Sequence, residues 1–211
     1  MSAGGETRPG AAHWEAVYAA GPATAASWHR AHLELSLAWI ERVAPQRDAA
    51  ILDAGGGAST LVDDLLALGY RDLTVLDIAA AALAAARKRL QDRAARVHWV
   101  EADIVHAGLG AGAYDVWHDR AVFHFLTAAS ARRAYVAQLT RALKPGGHVL
   151  LATFAPEGPQ RCSGLPVMRY HAAALQAEVG AGFHLIESRE ELHHTPGGTR
   201  QPFLYTLFRA G

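Results

Sequence analysis

The 211 residues carry 20 Lys+Arg against 20 Asp+Glu, a formal net charge of zero at pH 7, with 51% hydrophobic and 19% charged residues. That balance supports a buried core, excludes a disordered chain, and lacks the basic excess of a nucleic-acid binder. The single cysteine, Cys162, excludes an internal disulfide framework and any CxxC-type zinc or redox motif.

Met1 to Gly10 is small and polar without the apolar core of a signal peptide, so a cytoplasmic location is expected. Residues 1–12 read as a frayed tail. From His13 to Ala44 the pattern is helical, with Trp14, Val17, Tyr18, Trp28, Leu33, Leu37 and Ile40 at apolar positions. Gly21-Pro22 interrupts it and Pro45 to Asp48 ends it. Strands then alternate with helices: strand Ala49 to Ala54, helix Ser59 to Leu68, strand Leu73 to Ile78, helix Ala79 to about Asp92, and strand Val97 to Val100. The Ala-rich stretch Ile78 to Ala86 is too short to span a bilayer and runs into Arg87-Lys88-Arg89. A fourth strand covers Tyr114 to His118, a helix Ala128 to Leu143, a turn Lys144 to Gly147, and a fifth strand His148 to Phe154. A helix near Tyr170 to Val179 precedes two further strands, Phe183 to Leu192 and Gln201 to Phe208, joined by Thr195-Pro196-Gly197-Gly198. Strand–helix alternation predicts a parallel sheet covered on both faces, and the closing hairpin predicts an antiparallel end.

The sharpest motif is Asp53-Ala54-Gly55-Gly56-Gly57-Ala58-Ser59-Thr60, leading from the first strand into a helix. Glycines there allow a tight turn and close approach of a ligand to the backbone, at the crevice where doubly wound sheets bind ligands. The loop lacks Gly-Lys-Ser/Thr, which excludes a nucleoside-triphosphate P-loop, and Thr60 stands where a dinucleotide GxGxxG needs its last glycine. Asp77 ends the second strand, 22 residues after Gly55, where a carboxylate accepts from ribose hydroxyls; Asp103 ends the third. Each alone also suits a helix cap or a turn. Carboxylates at the ends of three successive strands, with glycines at the first, favour a nucleoside site.

With these motifs the chain resembles the class I S-adenosylmethionine-dependent methyltransferases, strongly over Ala49 to Phe154. The resemblance implies an α/β fold, a Rossmann-like doubly wound sheet, mostly parallel with a C-terminal antiparallel strand, in a three-layer αβα sandwich. Residues 1–48 would form tail and helical lid and 49–211 the cofactor-binding domain, one domain overall. It implies that Asp53, Gly55, Gly56, Gly57 and Ser59 meet the methionine part of the cofactor, with Ser59 in place of the third glycine of the common GxGxG form. Asp77 would hold the ribose, Ile78 the adenine face, and Asp103 with Ile104 the adenine edge. Tyr114 to Asp119 would line the methyl-transfer site, and Lys144-Pro145-Gly146-Gly147 resembles the turn before the fifth strand.

The implied reaction is in-line displacement at a sulfonium methyl, leaving S-adenosylhomocysteine, with the protein supplying alignment and electrostatics. His118, Asp119 and His124 are the candidates for polar work there, His118 also near the cofactor; a histidine either acts as base or orients a loop. Arg120 either binds a substrate carboxylate or pairs with Asp119. Trp28 is the candidate lid over the cofactor, while Trp14 and Tyr18 either line the substrate mouth or pack an amphipathic helix. Cys162, in the loop Arg161 to Pro166, either meets a soft substrate or fills space. No metal site is expected, because His193 and His194, adjacent on a strand, point to opposite faces. The expected acceptor is a small molecule, with a protein lysine as the alternative. Absence of an Asn/Asp-Pro-Pro-Tyr/Phe tetrapeptide weighs against DNA bases or glutamine. A nicotinamide-dependent oxidoreductase and a non-catalytic binding module are more remote, and a monomer or homodimer is expected.

Overall fold

The structure, a computed structural model, describes residues 10–211. Most of the expected N-terminal tail, residues 1–9, lies outside the described residues; helix α1, Ala11–Ala19, begins where the rest of that tail was expected. A short 3₁₀ turn, Ala23–Ala25, and a loop lead to α2, Glu34–Val43, so the predicted helical stretch is two helices divided at Gly21-Pro22. Helix α2 buries Ser36, Trp39 and Ile40, the i, i+3, i+4 stripe of a helix lying on a sheet.

Then follow β1 (Ala50–Ala54), α3 (Leu61–Ala67), β2 (Asp72–Asp77), α4 (Ala80–Leu90), β3 (His98–Glu101), β4 (Tyr114–Arg120), α5 (Ala129–Ala142) and β5 (Leu143–Phe154). A two-stranded ribbon, β6 (Arg161–Cys162) with β7 (Leu165–Pro166), precedes α6 (Ala172–Val179) and the strands β8 (Phe183–His194) and β9 (Arg200–Ala210). The sheet order is β3-β2-β1-β4-β5-β9-β8. Strands β1 to β5 are parallel, β9 is antiparallel to β5, and β8 closes the edge as a hairpin partner of β9. This is the seven-stranded, Rossmann-like doubly wound sheet that the alternation predicts.

Period-2 burial divides the core between the two faces of the sheet. Ile51, Val75, Val116 and Leu150 pack to one side beneath α2 and α3. Leu52, Leu76, Trp117 and Leu151 pack to the other, where α5 presents Tyr135, Leu139 and Ala142. Edge strand β8 exposes Arg189 and Glu190, charges that discourage pairing with another sheet.

Several predicted boundaries move by one or two residues, β4 running on to Arg120 and β8 to His194, and the largest change is at the start of β5. Lys144 to Gly147 is not a free turn but a bulge inside β5: Tyr114 pairs with Leu143 and Val116 with His148, so three extra residues are absorbed there, with Gly146 at φ +73°. Asp115 fixes it, accepting from Lys144 Nζ at 2.7 Å and from the Ala50 amide at 2.8 Å. Among the described residues no helix is long and apolar enough to cross a membrane.

Candidate functional site

The carboxyl ends of β1, β2 and β4 open onto a cavity of about 110 Å³, and a smaller one of about 40 Å³ adjoins it. The loop after β1 forms the floor. Gly55 and Gly56 donate their amides to the Leu76 carbonyl at 2.7 and 3.1 Å, binding the loop to the end of β2. Gly55 (φ +70°) and Gly57 (φ +43°) hold left-handed conformations, and a Cβ on Gly55 would overlap Val122 Cγ2. A Cβ on Gly57 would sit 2.6 Å from Asp77 Oδ2 and 2.9 Å from the Tyr18 hydroxyl. Glycine is required here by space as well as by backbone torsion.

Asp77 lies at the end of β2, 7% exposed, and accepts from the Ala79 amide at 2.9 Å. Burial, opposed by that amide and reinforced by the nearby Asp53 carboxylate, pushes its carboxyl up to about 6. Ile78 and Ile104 form apolar walls, and Asp103 lines the same cavity while accepting from the Val105 amide at 3.2 Å. Aromatic rings roof the cleft: Trp14 stands edge-on to Phe125 (5.0 Å) and Trp28 (6.1 Å), and Tyr18 to Trp28 (6.3 Å). Glu15 pins this roof, accepting from the Ala81 amide at the start of α4 at 3.3 Å. Tyr18 lines both cavities, with its hydroxyl over the glycine loop beside Asp77; burial, then the Asp77 charge, raises its pKa.

The expected catalytic trio does not gather. His118 and Asp119 are neighbours on β4 and face opposite sides of the sheet. His118 is buried between Asp53 Oδ1, 2.7 Å from Nδ1, and Ser36 Oγ, 3.0 Å from Nε2; both ring nitrogens are engaged, beside the smaller cavity. Asp119 is fully buried, accepting from the amides of Val122 (2.9 Å) and Phe123 (3.1 Å) and from the Tyr135 hydroxyl (2.6 Å). It caps the turn Phe123–Phe125 and does not line the cleft. His124 on that turn is sealed between Phe125 and Phe154, and burial, aided by the Arg120 charge, lowers its pKa to about 3. A neutral, enclosed imidazole cannot take a proton from an acceptor in the cavity.

Arg120, which shares the His118 face of β4, lines both cavities. It does not pair with Asp119: Nε donates to the Tyr205 hydroxyl at 3.0 Å and an Nη to the Trp28 carbonyl at 2.8 Å. Cys162, on β6, reaches the wall of the larger cavity, and burial pushes its thiol up. His193 turns inward, 2.7 Å from the Ser27 carbonyl, while His194 is exposed, as expected from alternation. Ser59 lines the smaller cavity, and its hydroxyl accepts from the Leu61 amide at 3.1 Å.

Sequence reasoning missed Ala121, Val122, Phe125 and Leu126, which form the wall after β4. Ala121 holds φ +71°, rare for a residue with a Cβ, and such strain concentrates at ligand sites. No sequence signal marks it. Phe125 was legible as an aromatic beside His124, yet nothing local showed that the phenyl ring, rather than the imidazole, faces the cleft.

A buried carboxylate, a glycine floor without room for Cβ atoms, and apolar walls ending in a second carboxylate fit a nucleoside carrying a short polar tail. Residues 51–147 match a family model described as a methyltransferase domain. No curated protein matches the chain by sequence. Among solved structures, one from a study of the conversion of a disulfide bond into a thioacetal group during echinomycin biosynthesis is 22% identical, with TM-score 0.77 over 95% of this chain and 92% of that one. The S-adenosylmethionine-dependent methyltransferase from Anabaena variabilis is 16% identical, with TM-score 0.71 over the whole of both chains. The 1,6-didemethyltoxoflavin-N1-methyltransferase of Burkholderia thailandensis, solved with bound 1,6-didemethyltoxoflavin and S-adenosylhomocysteine, is 21% identical, with TM-score 0.65 over 82% of this chain and 75% of that one. Over residues 51–147, somewhat under half of its length, the chain is similar to a methyltransferase domain, and it has the Rossmann-like fold of these solved methyltransferases.

Proposed function

We propose that the protein transfers a methyl group from S-adenosylmethionine to a small-molecule acceptor. The observation that carries this reading is the convergence of Asp77, Asp103 and the Gly55 floor on one cavity roofed by Trp14 and Trp28. The 1,6-didemethyltoxoflavin enzyme, which shares the fold, supports a small acceptor.

In this reading Asp77 accepts from the ribose hydroxyls, Ile78 and Ile104 enclose the adenine, and Asp103 meets its edge. The glycine loop, with Asp53 and Ser59, holds the methionine portion. When bound, the cofactor supplies a methyl on a positively charged sulfur, which leaves as a neutral thioether when an acceptor lone pair displaces it. The chain's own contribution is placement and desolvation. Trp14, Trp28 and Phe125 exclude water, and the strained Ala121 backbone sets the wall facing the acceptor. Holding reactants in line is worth effective molarities on the order of 10⁵ M or more. With His124 sealed and His118 engaged at both ring nitrogens, neither imidazole is placed as a base, and the acceptor must present an available lone pair.

The test offers radiolabelled S-adenosylmethionine to the purified protein with size-fractionated cell extract. Label in low-mass material is expected; label confined to protein bands would overturn the small-molecule reading in favour of a protein acceptor.

A further inference from the structure

We propose that Arg120 makes the β9 side of the cavity a carboxylate-binding subsite, so that the methylated molecule is a small, largely apolar acid; this rests on the methyl-transfer reading above. Arginine is almost never buried without a counter-charge. The other half-buried arginines among the described residues obey that rule: Arg30 pairs with Glu191, Arg47 with Glu41 and Arg132 with Glu178. Arg120 has no carboxylate partner among them.

Its partners are neutral, the Tyr205 hydroxyl and the Trp28 carbonyl, and its guanidinium lies 4.5 Å from the centre of the Phe203 ring. The remaining nitrogen, Nη2, is buried without a hydrogen-bond acceptor. The nearest carboxylate in sequence, Asp119, is turned to the other face and occupied by Tyr135 and two amides. A fixed positive charge with an unused donor, on the wall of a cavity, is arranged for an anion that arrives from outside.

The guanidinium packs on β9 through Tyr205 and Phe203, while Arg120 also lines the smaller cavity beside Gly55, Gly56 and Ser59. The anion is assigned to the acceptor, and the S-adenosylhomocysteine measurement below separates it from the cofactor's own carboxylate. The wall of the larger cavity offers Trp14, Phe125 and Cys162 and, among the described residues, no second cation; Arg30, in the adjoining cavity, is paired with Glu191. This suits a monoanion on an apolar body rather than a phosphate dianion.

Calorimetry tests this with matched pairs: benzoate, phenylacetate and indole-3-acetate against their neutral amides, with phenyl phosphate as a further arm. Each is titrated into the protein with and without saturating S-adenosylhomocysteine. At least one acid is expected to bind about tenfold or more tighter than its amide. Arg120→Gln is expected to erase that preference and Arg120→Lys to keep part of it, with S-adenosylhomocysteine affinity within about threefold of wild type in both. No acid binding tighter than its amide, or phenyl phosphate binding tighter than every acid, overturns the proposal. So does a loss of S-adenosylhomocysteine affinity in Arg120→Gln alongside the lost preference, which would assign the arginine to the cofactor's own carboxylate. Should wild type bind no S-adenosylhomocysteine, the methyl-transfer reading fails instead, and the acid–amide comparison in the free protein still decides the subsite.

Discussion

Under the proposed function, Asp77 places ligand binding and stability in opposition at one side chain. Its carboxyl is raised from 3.8 to about 6 in the folded protein. The native state therefore binds the proton more tightly than the unfolded chain, and stability falls as pH rises from about 4 to about 6, then stays flat. At about 1.4 kcal/mol per unit the cost reaches about 3 kcal/mol as an upper bound. Asp77→Asn keeps an acceptor for the Ala79 amide and removes that cost. The ligand-free variant should melt above wild type at pH 7.5 and level with it near pH 4, while calorimetry shows about tenfold or more weaker S-adenosylhomocysteine binding. An unchanged affinity would remove Asp77 from the cofactor site. Wild-type affinity should decline as pH drops through about 6, because the protonated carboxyl loses an acceptor. His124 makes the contrasting case. His124→Asn should leave the shape of the pH–rate profile intact, and disappearance of a limb near neutral pH would restore it as a base.

At the scale of elements, the loop after β1 and the wall after β4 form one unit, joined where Gly55 meets Val122. Gly55→Ala introduces both a Cβ at φ +70° and an overlap with Val122 Cγ2. Strain of this kind costs about 1–3 kcal/mol, read as a lower urea midpoint. Adding Val122→Ala should recover the steric part and not the torsional part, so partial recovery is expected; full recovery would show that the backbone conformation carries no penalty. The glycines were legible because glycine has few alternative reasons to cluster at a strand end. Ala121 and Val122 were not, since their role comes from a positive torsion and a partner 67 positions away in sequence. The catalytic candidates failed for a related reason. Alternation along β4 separates His118 from Asp119, and the buried partners Ser36 and Tyr135 that engage them lie on distant helices.

Across the whole molecule, the sheet is packed on both faces and the roof is not built like it. Helix α1 has no fully buried residue and is held through Trp14 and the Glu15 contact to α4. Its amides should exchange with solvent much faster than those of β1 or β4 in the free protein and gain protection when S-adenosylhomocysteine binds; equal protection in both states would make the roof a fixed wall. The sequence by itself determined the architecture, because strand–helix alternation and period-2 burial are local patterns that a parallel sheet must satisfy. It also placed Gly55, Asp77 and Asp103 together, since they fall at strand ends that any such sheet brings to one side. Only the tertiary structure decided which polar groups face the cavity. Asp119, Arg120 and His124 lie within six consecutive positions, yet one caps a turn, one lines the cavity and keeps a buried unpaired donor, and one is sealed in the core. Their fates depend on Tyr135, Tyr205 and Phe154, partners that only folding brings within reach.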